Sequence, residues 1–533
     1  MRLRAGAVLL IVGVTGAWGA MTPAAATFPN DEKTIAHVLN RIGFGPRPGD
    51  IQRVQAMGLE RYIDDQLHPE RVPDPNLATR LSGFETTALS TNQISDRFER
   101  PQLEMRRKLQ QQGIDPADPN AQRPPEAMAI QQKANSVLVE LGEQKMLRAV
   151  YSERQLSEVL ADFWFNHFNV DSRKGRDRFM VTEYERDTIR PRVLGKFRDL
   201  LGATAKSPAM LFYLDNWQSV DPNGPHPDPA AIRRAGRGPF RPFLVAPPAQ
   251  AKNQKRGLNE NYGRELMELH TLGVDGGYTQ KDVTEVARAL TGWTILNPQQ
   301  GGEFRFEPRQ HDEGEKVVLG HHINAGGGIK DGEQVLNILA SHPSTAHFIS
   351  LELARRFVSD TPPAALVDRA AKRFKDTDGD LREVMRTILT SPEFLGPEAY
   401  RAKVKSPFEF IVSAMRATSA DVSNAMALVR AMQQLGMPLY QCQPPTGYKD
   451  TADAWTNTGA LVNRMNFALQ LSNGKTPGIA VESRQSLVDR RDAVVNAMLG
   501  NDVSETTKST IAKATTTPQM MALALGSPEF QKR

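Results

Sequence analysis

The sequence contains a single cysteine, Cys442, among 533 residues. This excludes an intramolecular disulfide, zinc sites with several thiolate ligands and cysteine-held iron–sulfur clusters. Beyond the N-terminal segment, no apolar run reaches the length of about 18 residues that indicates a transmembrane helix. HExxH, GxSxG, P-loop and dinucleotide-binding motifs are also absent, so none of these catalytic motifs assigns a reaction.

The composition is that of an ordinary globular protein. Hydrophobic residues make up 40% and charged residues 24% of the chain, which argues against extended disorder. The net charge is only +5, from 66 basic and 61 acidic residues. Because the basic residues do not form one tract, we predict no nucleic-acid partner.

The first 26 residues have the pattern of a secretory signal peptide. Arg2 and Arg4 precede an apolar stretch that is interrupted by small residues. Small residues at its end predict cleavage after Ala26, with Ala20 as the alternative site. We therefore expect a periplasmic or secreted protein with no transmembrane span after removal of residues 1–26.

Helical periodicity dominates the remaining chain and predicts a mainly α fold. We expect one large helical domain over 27–533, with long loop insertions at 96–127 and 218–253 and a peripheral helical tail at 476–533. One short β-hairpin is predicted around 303–324. The predicted helices lie near 31–42, 48–66, 128–150, 153–168, 178–193, 259–272, 280–291, 333–340, 344–358, 363–374, 380–390, 406–417, 422–435 and 458–472.

The helix predicted near 259–272 places a carboxylate in its apolar stripe. At 100° per residue Glu265 falls among the leucines of the core-facing side, and Glu268 lies at the edge of that arc. A buried carboxylate must be paired, protonated or metal-bound, since an isolated buried charge is very costly. Residues three apart on a helix can share one site, so Glu265 and Glu268 are candidate catalytic residues. A capping box that begins at Thr279 predicts a second helix packed against the first.

Two further polar groups are candidates for the same site. His167 lies in the middle of the apolar stripe of the helix predicted near 153–168. His311 and Asp312 form a polar pair ahead of the predicted hairpin strands. Histidine and carboxylate side chains can hold a divalent metal, so the candidate ligands are His167, Glu265, His311 and Asp312, while His167 with Glu265 also suits acid–base catalysis.

Each candidate also has a structural interpretation. Glu265 can be an ordinary core carboxylate paired with an arginine such as Arg41 or Arg288. His167 can donate a hydrogen bond to a backbone carbonyl. These alternatives are decided by whether the His167 imidazole and the Glu265 carboxylate meet.

A long motif in this region resembles a known bacterial family. The segment NENYGRELMELHTLG at 259–273 is followed by Gly277-Tyr278-Thr279 and by ARALTGW at 287–293. Shorter matching pieces are HVLNR at 37–41, FWFNHF at 163–168, His311-Asp312, HPSTA at 342–346 and PTGY at 445–448. Together they resemble the family called domain of unknown function 1800, with Gly263 standing where we expect alanine.

The resemblance implies an exported, mainly helical protein, encoded in many cases beside a sulfatase-like protein, and it carries over no catalytic residue. From the ionisable residues His167 and Glu265 on apolar helix faces, and not from the resemblance, we expect a hydrolase that acts on an envelope or extracellular polymer, with a divalent metal as a candidate cofactor. A non-haem iron oxidoreductase would use the same residues. The alternative from another class is a non-catalytic envelope scaffold or accessory protein for a sulfatase-like exported partner.

Overall fold

The computed structural model describes residues 28–116, 118, 121–224, 257–296, 302–481, 498–500 and 502–533. The predicted signal peptide at 1–26 and most of the predicted insertion at 218–253 lie outside these ranges. Within them the chain is mainly helical, which confirms the predicted fold class. No described helix combines the length and the apolar character needed to cross a membrane.

The helices are numbered here in chain order. They are α1 Glu32–Arg41, α2 Asp50–Met57, α3 Leu59–Leu67, α4 Pro75–Leu81, α5 Thr91–Ile94, α6 Arg100–Gln111, α7 Pro125–Tyr151, α8 Gln155–His167, α9 Asp177–Glu183, α10 Phe197–Ala205, α11 Pro208–Tyr213, α12 Glu260–Glu268, α13 Gln280–Ala289, α14 Ile329–Ser341, α15 Pro343–Phe357, α16 Ala364–Asp376, α17 Leu381–Leu389, α18 Pro392–Leu395, α19 Pro407–Ala417, α20 Met426–Gln434, α21 Thr458–Ser472, α22 Glu505–Ala512, α23 Thr517–Gly526 and α24 Pro528–Gln531.

Side-chain caps and glycines set many of these boundaries. Asp31 accepts the amide of Thr34 and begins α1, close to the predicted start. Gly58 has a φ of 92° and separates α2 from α3, where the periodicity predicts a single helix over 48–66. The predicted insertion at 96–127 contains the whole of α6.

In the described part of the chain, six short strands form three antiparallel pairs. They are β1 Trp293–Leu296 with β2 Glu303–Phe306, β3 Lys316–Val318 with β4 His321–Ile323, and β5 Asp421–Val422 with β6 Ile479–Ala480. Within the predicted hairpin region at 303–324, β3 and β4 pair with each other, whereas β2 pairs with the preceding strand β1. Phe304 faces Ile295, and Val317 faces His322, because each strand pairs with its nearest neighbour in sequence.

One connected hydrophobic core extends through most of the described chain. It includes Ile35 of α1, Trp164 of α8 and Leu525 of α23, each of them fully buried. The C-terminal part of the predicted tail is therefore packed into this core, with α23 against α21. Close packing of this kind fixes the positions of polar side chains at its edge.

Candidate functional site

Helix α12 presents two carboxylates beside its buried face. Asn259 caps the helix by accepting the amide of Tyr262 at 3.1 Å. Leu266 and Met267 are buried, whereas Glu265 and Glu268 are half-buried. Glu265 is thus more exposed than the periodicity predicts.

The helical hairpin of α12 and α13 holds these carboxylates in place. The predicted capping box is confirmed, with Thr279 and Asp282 bonding each other's backbone amides. Gly263 lets the two backbones approach closely, since an added Cβ would lie 2.9 Å from the carbonyl oxygen of Val283. The rigid hairpin therefore fixes where Glu265 and Glu268 are presented.

The neighbours of Glu265 favour its protonated form. Burial, followed by the nearby charge of Glu268, raises the pKa of Glu265, while Arg264 acts against this. The hydroxyl of Tyr278 donates to Glu268 Oε2 at 3.0 Å. A carboxyl group with a raised pKa beside one that accepts a hydrogen bond is an arrangement suited to acid–base chemistry. Tyr278 is a neighbour that the sequence reasoning did not select, although it stands in the quoted family motif.

His167 lies at the end of α8, next to the turn that follows α12. Its Nε2 donates to the backbone carbonyl of His270 at 3.2 Å. This hydrogen bond is the one that the structural interpretation of His167 predicts. Its ring packs among aromatic side chains that include Trp164 and Phe168. Burial lowers the pKa of His167 to about 4, although the hydrogen bond to His270 opposes this shift. His167 is therefore a neutral imidazole above mildly acidic pH.

His270 connects the segments that carry His167 and Glu265, but the two side chains are not joined. The amide of His270 donates to the carbonyl of Glu265 at 3.1 Å, so one residue links the two segments. In the described part of the chain, no hydrogen bond or ion pair connects the His167 imidazole with the Glu265 carboxylate. Among the described residues Glu265 also has no ion pair with Arg41 or Arg288, since Arg41 donates to the carbonyl of Ala399 and Arg288 pairs with Asp312.

His311 and Asp312 belong to a different set of interactions. His311 Nδ1 donates to the carbonyl of Thr291 at 2.9 Å, and its Nε2 lies 3.2 Å from Asp331. Asp312 accepts two hydrogen bonds from Arg288, at 2.7 and 3.0 Å. Each of these side chains therefore has its own structural partners.

The four proposed metal ligands are not brought together as one ligand set. Among the described residues, no group of three or more histidine, cysteine, aspartate or glutamate side chains has an arrangement that could hold a metal ion. What the structure does bring together is the set of Glu265, Glu268 and Tyr278.

Comparison with known proteins gives one match. The family model described as "protein of unknown function (DUF1800)" matches residues 37–532, which is almost the whole chain. No curated protein and no solved structure gives a significant match.

Proposed function

Given that the chain belongs to the DUF1800 family, whose description names no reaction, we propose from the site geometry that it is an exported hydrolase acting on an envelope or extracellular polymer. The observation that carries the proposal is the pair of half-buried carboxylates on α12, one of which has a raised pKa. Paired carboxylates in different environments supply the acid and the base of many hydrolytic reactions.

The two carboxylates take different roles. Glu265 retains its proton to higher pH and acts as the general acid that protonates the leaving group. Glu268 accepts the hydrogen bond of Tyr278 and acts as the base that removes a proton from the attacking water. We expect the activity to fall as pH rises through the pKa of Glu265, because the acid then loses its proton.

Partial exposure of the pair favours a large substrate. Both side chains lie on the last turn of α12, where a polymer can reach them without entering the core.

The N-terminal segment with Arg2 and Arg4 supports export, and a mature protein that begins at Thr27 would be seen by mass spectrometry of the secreted or periplasmic fraction.

The test is a hydrolysis assay on peptidoglycan, extracellular polysaccharides and unfolded protein, with released ends as the signal. Glu265→Gln and Glu268→Gln should each lower the rate by about 100-fold or more, and Tyr278→Phe by about tenfold. The matched control is Glu260→Gln on the same helix, where the carboxylate accepts hydrogen bonds from Gln280 and Thr284. Cleavage of no polymer by the unmodified protein, or full activity of both glutamine variants, would contradict the proposal and leave the accessory role beside a sulfatase-like protein.

A further inference from the structure

A cavity of about 680 Å³ lies beside α1, away from Glu265 and Glu268. Part of its wall is apolar and includes Ile51, Tyr400 and Phe530. The rest of the wall, which we call the basic wall, contains six lysine and arginine side chains and three carboxylates: Lys33, Arg47, Arg401, Lys405, Lys532 and Arg533 with Glu32, Asp502 and Glu529. Its volume is within the range of small-molecule sites, which typically measure several hundred Å³.

The basic wall is built by two chain segments that run side by side. Residues 403–405 pair antiparallel with residues 531–533, through hydrogen bonds that include Lys405 N to Gln531 O at 2.9 Å. This pairing places Lys405 and Arg533 together on the wall, and His37 from α1 joins them.

Among the described residues, the buried cations of this region outnumber the carboxylates that form ion pairs with them. Five of these cations are at most 5% exposed, and we call them the basic cluster: Arg41, Arg356, Lys403, Lys405 and Arg533. The carboxylates that pair with this cluster most closely are Asp360, Glu409 and Asp450. Burying several like charges with too few counterions is costly unless an anion completes the set.

Two members of the cluster have no ion pair with any described residue. Lys405 Nζ lies 3.9 Å from the ring centre of Phe530, and no described carboxylate lies within 4 Å of it. Arg41 donates to the carbonyl of Ala399, and its Nε and Nη1 have no hydrogen-bond partner among the residues that the structure describes. Burial lowers the pKa of Lys405 to about 7, and burial together with the charge of Arg533 holds the pKa of Arg41 well below its ordinary value.

His37 supplies an independent sign of a missing ligand. It is 4% exposed and lines the cavity, and its Nε2 donates to the carbonyl of Phe394 at 2.8 Å. Its other nitrogen, Nδ1, is buried without a partner among the described residues. A buried nitrogen without a partner beside a cavity can be satisfied by a group bound there.

We propose that this cavity binds a phosphate or sulfate group carried on a molecule with an apolar body. The oxyanion lies against Lys405 and Arg533, with the charge of Arg41 behind them. A phosphate group that keeps one proton can donate it to His37 Nδ1, which a sulfate group cannot do. The attached body packs on the apolar wall at Ile51 and Phe530.

The test is calorimetric titration of the full-length protein at constant ionic strength, with inorganic phosphate, sulfate and phenyl phosphate, and with chloride as reference. Phosphate and sulfate should bind saturably where chloride does not, and phenyl phosphate should bind about tenfold more tightly than phosphate because it also covers apolar wall. Equal affinities for phosphate and phenyl phosphate would overturn the assignment of an apolar body.

Variants separate this cavity from a general effect of charge. Lys405→Met keeps the apolar stem and should weaken phosphate binding by about tenfold or more, whereas Lys372→Met on the exposed face of α16 should change it by less than about twofold. His37→Gln retains a donor for the carbonyl of Phe394 and serves if Lys405→Met does not fold. Saturable binding that survives both cavity variants, or no anion binding by the unmodified protein, would overturn the proposal.

Discussion

The guanidinium of Arg356 lies 2.9 Å from the carboxylate of Glu409, and the two side chains are only 6% and 4% exposed. Arg533 approaches the same carboxylate oxygen at 2.9 Å. Burial raises the pKa of Glu409, but Arg356 and Arg533 outweigh burial and lower it to about 2. Glu409 also completes the capping box of α19 with Ser406, so one side chain ties together α15, α19 and the end of the described chain.

Replacing Glu409 with glutamine should therefore be strongly destabilising. It leaves two buried guanidinium groups without their shared carboxylate, and breaking such a pair typically costs about 3–5 kcal/mol. Urea denaturation at pH 7 measures the change in the free energy of unfolding. Glu505→Gln is the control, since Glu505 is 89% exposed in its pair with Lys508, and its effect should stay below about 1 kcal/mol. A loss for Glu409→Gln no larger than that of the control would contradict this account.

The buried histidines predict sensitivity to acid. His270 is 2% exposed, and burial, followed by the charge of His167, lowers its pKa to about 3 from an ordinary value of 6.5. Because the unfolded chain binds the proton more strongly, the contribution of His270 to the free energy of unfolding is fully present above pH 6.5. This contribution is lost as the pH drops toward 3. One such histidine contributes a slope of up to about 1.4 kcal/mol per pH unit.

His270→Leu should remove its share of that slope. Its Nε2 is buried without a hydrogen-bond partner in the described residues, so leucine should cost little at neutral pH. Denaturation curves between pH 4.5 and 7 compare this variant with His322→Leu, whose histidine is 68% exposed. An unchanged slope in His270→Leu would show that His270 is not held neutral by burial.

Gly263 gives a prediction about packing. Alanine at this position improves helix propensity by about 1 kcal/mol, but its Cβ would lie 2.9 Å from the carbonyl oxygen of Val283 in α13. Overpacking against backbone costs about 1–3 kcal/mol, so we expect a net loss of about 1 kcal/mol for Gly263→Ala. Gly459→Ala in α21 is the control, because no clash meets a Cβ there and that variant should be neutral or stabilising. Equal stability of both variants would contradict the close approach of α12 and α13.

Local patterns predicted the elements of this fold well, and spatial neighbours less well. The capping box at Thr279 and the helices that carry His167 and Glu265 follow from spacing within one segment. The search for ionisable residues on the core-facing side of a helix also applies to α1, where His37 and Arg41 are one turn apart among buried apolar residues. In α1 this search selects His37, which lines the cavity, and Arg41, which belongs to the basic cluster.

Contacts between distant segments could not be predicted in this way. His167 was expected to meet the carboxylate of Glu265 but contacts the carbonyl of His270, because an apolar stripe fixes which side faces inward and not which atom waits there. The pairing of Arg533 with Glu409 depends on the whole path of the chain. Periodicity carries no information on such pairs, so the basic cluster only becomes visible in the folded structure.

Glu265 should reduce the stability of the protein at neutral pH. Burial and the charge of Glu268 raise the pKa of Glu265 in the folded protein. The free energy of unfolding is therefore unaffected below the ordinary pKa of 4.5 and decreases as the pH rises through the raised value. Glu265→Gln removes both the desolvated charge and the repulsion from Glu268. We therefore expect the variant to melt at a higher temperature than the unmodified protein at pH 7.5, and at the same temperature near pH 4. Thermal denaturation at both pH values measures this, with Glu260→Gln as the control that should shift neither. A lower melting temperature for Glu265→Gln at pH 7.5 would show that Glu265 stabilises the fold. A functional residue is expected to reduce stability, so that result would remove the main physical reason to place the general acid at Glu265.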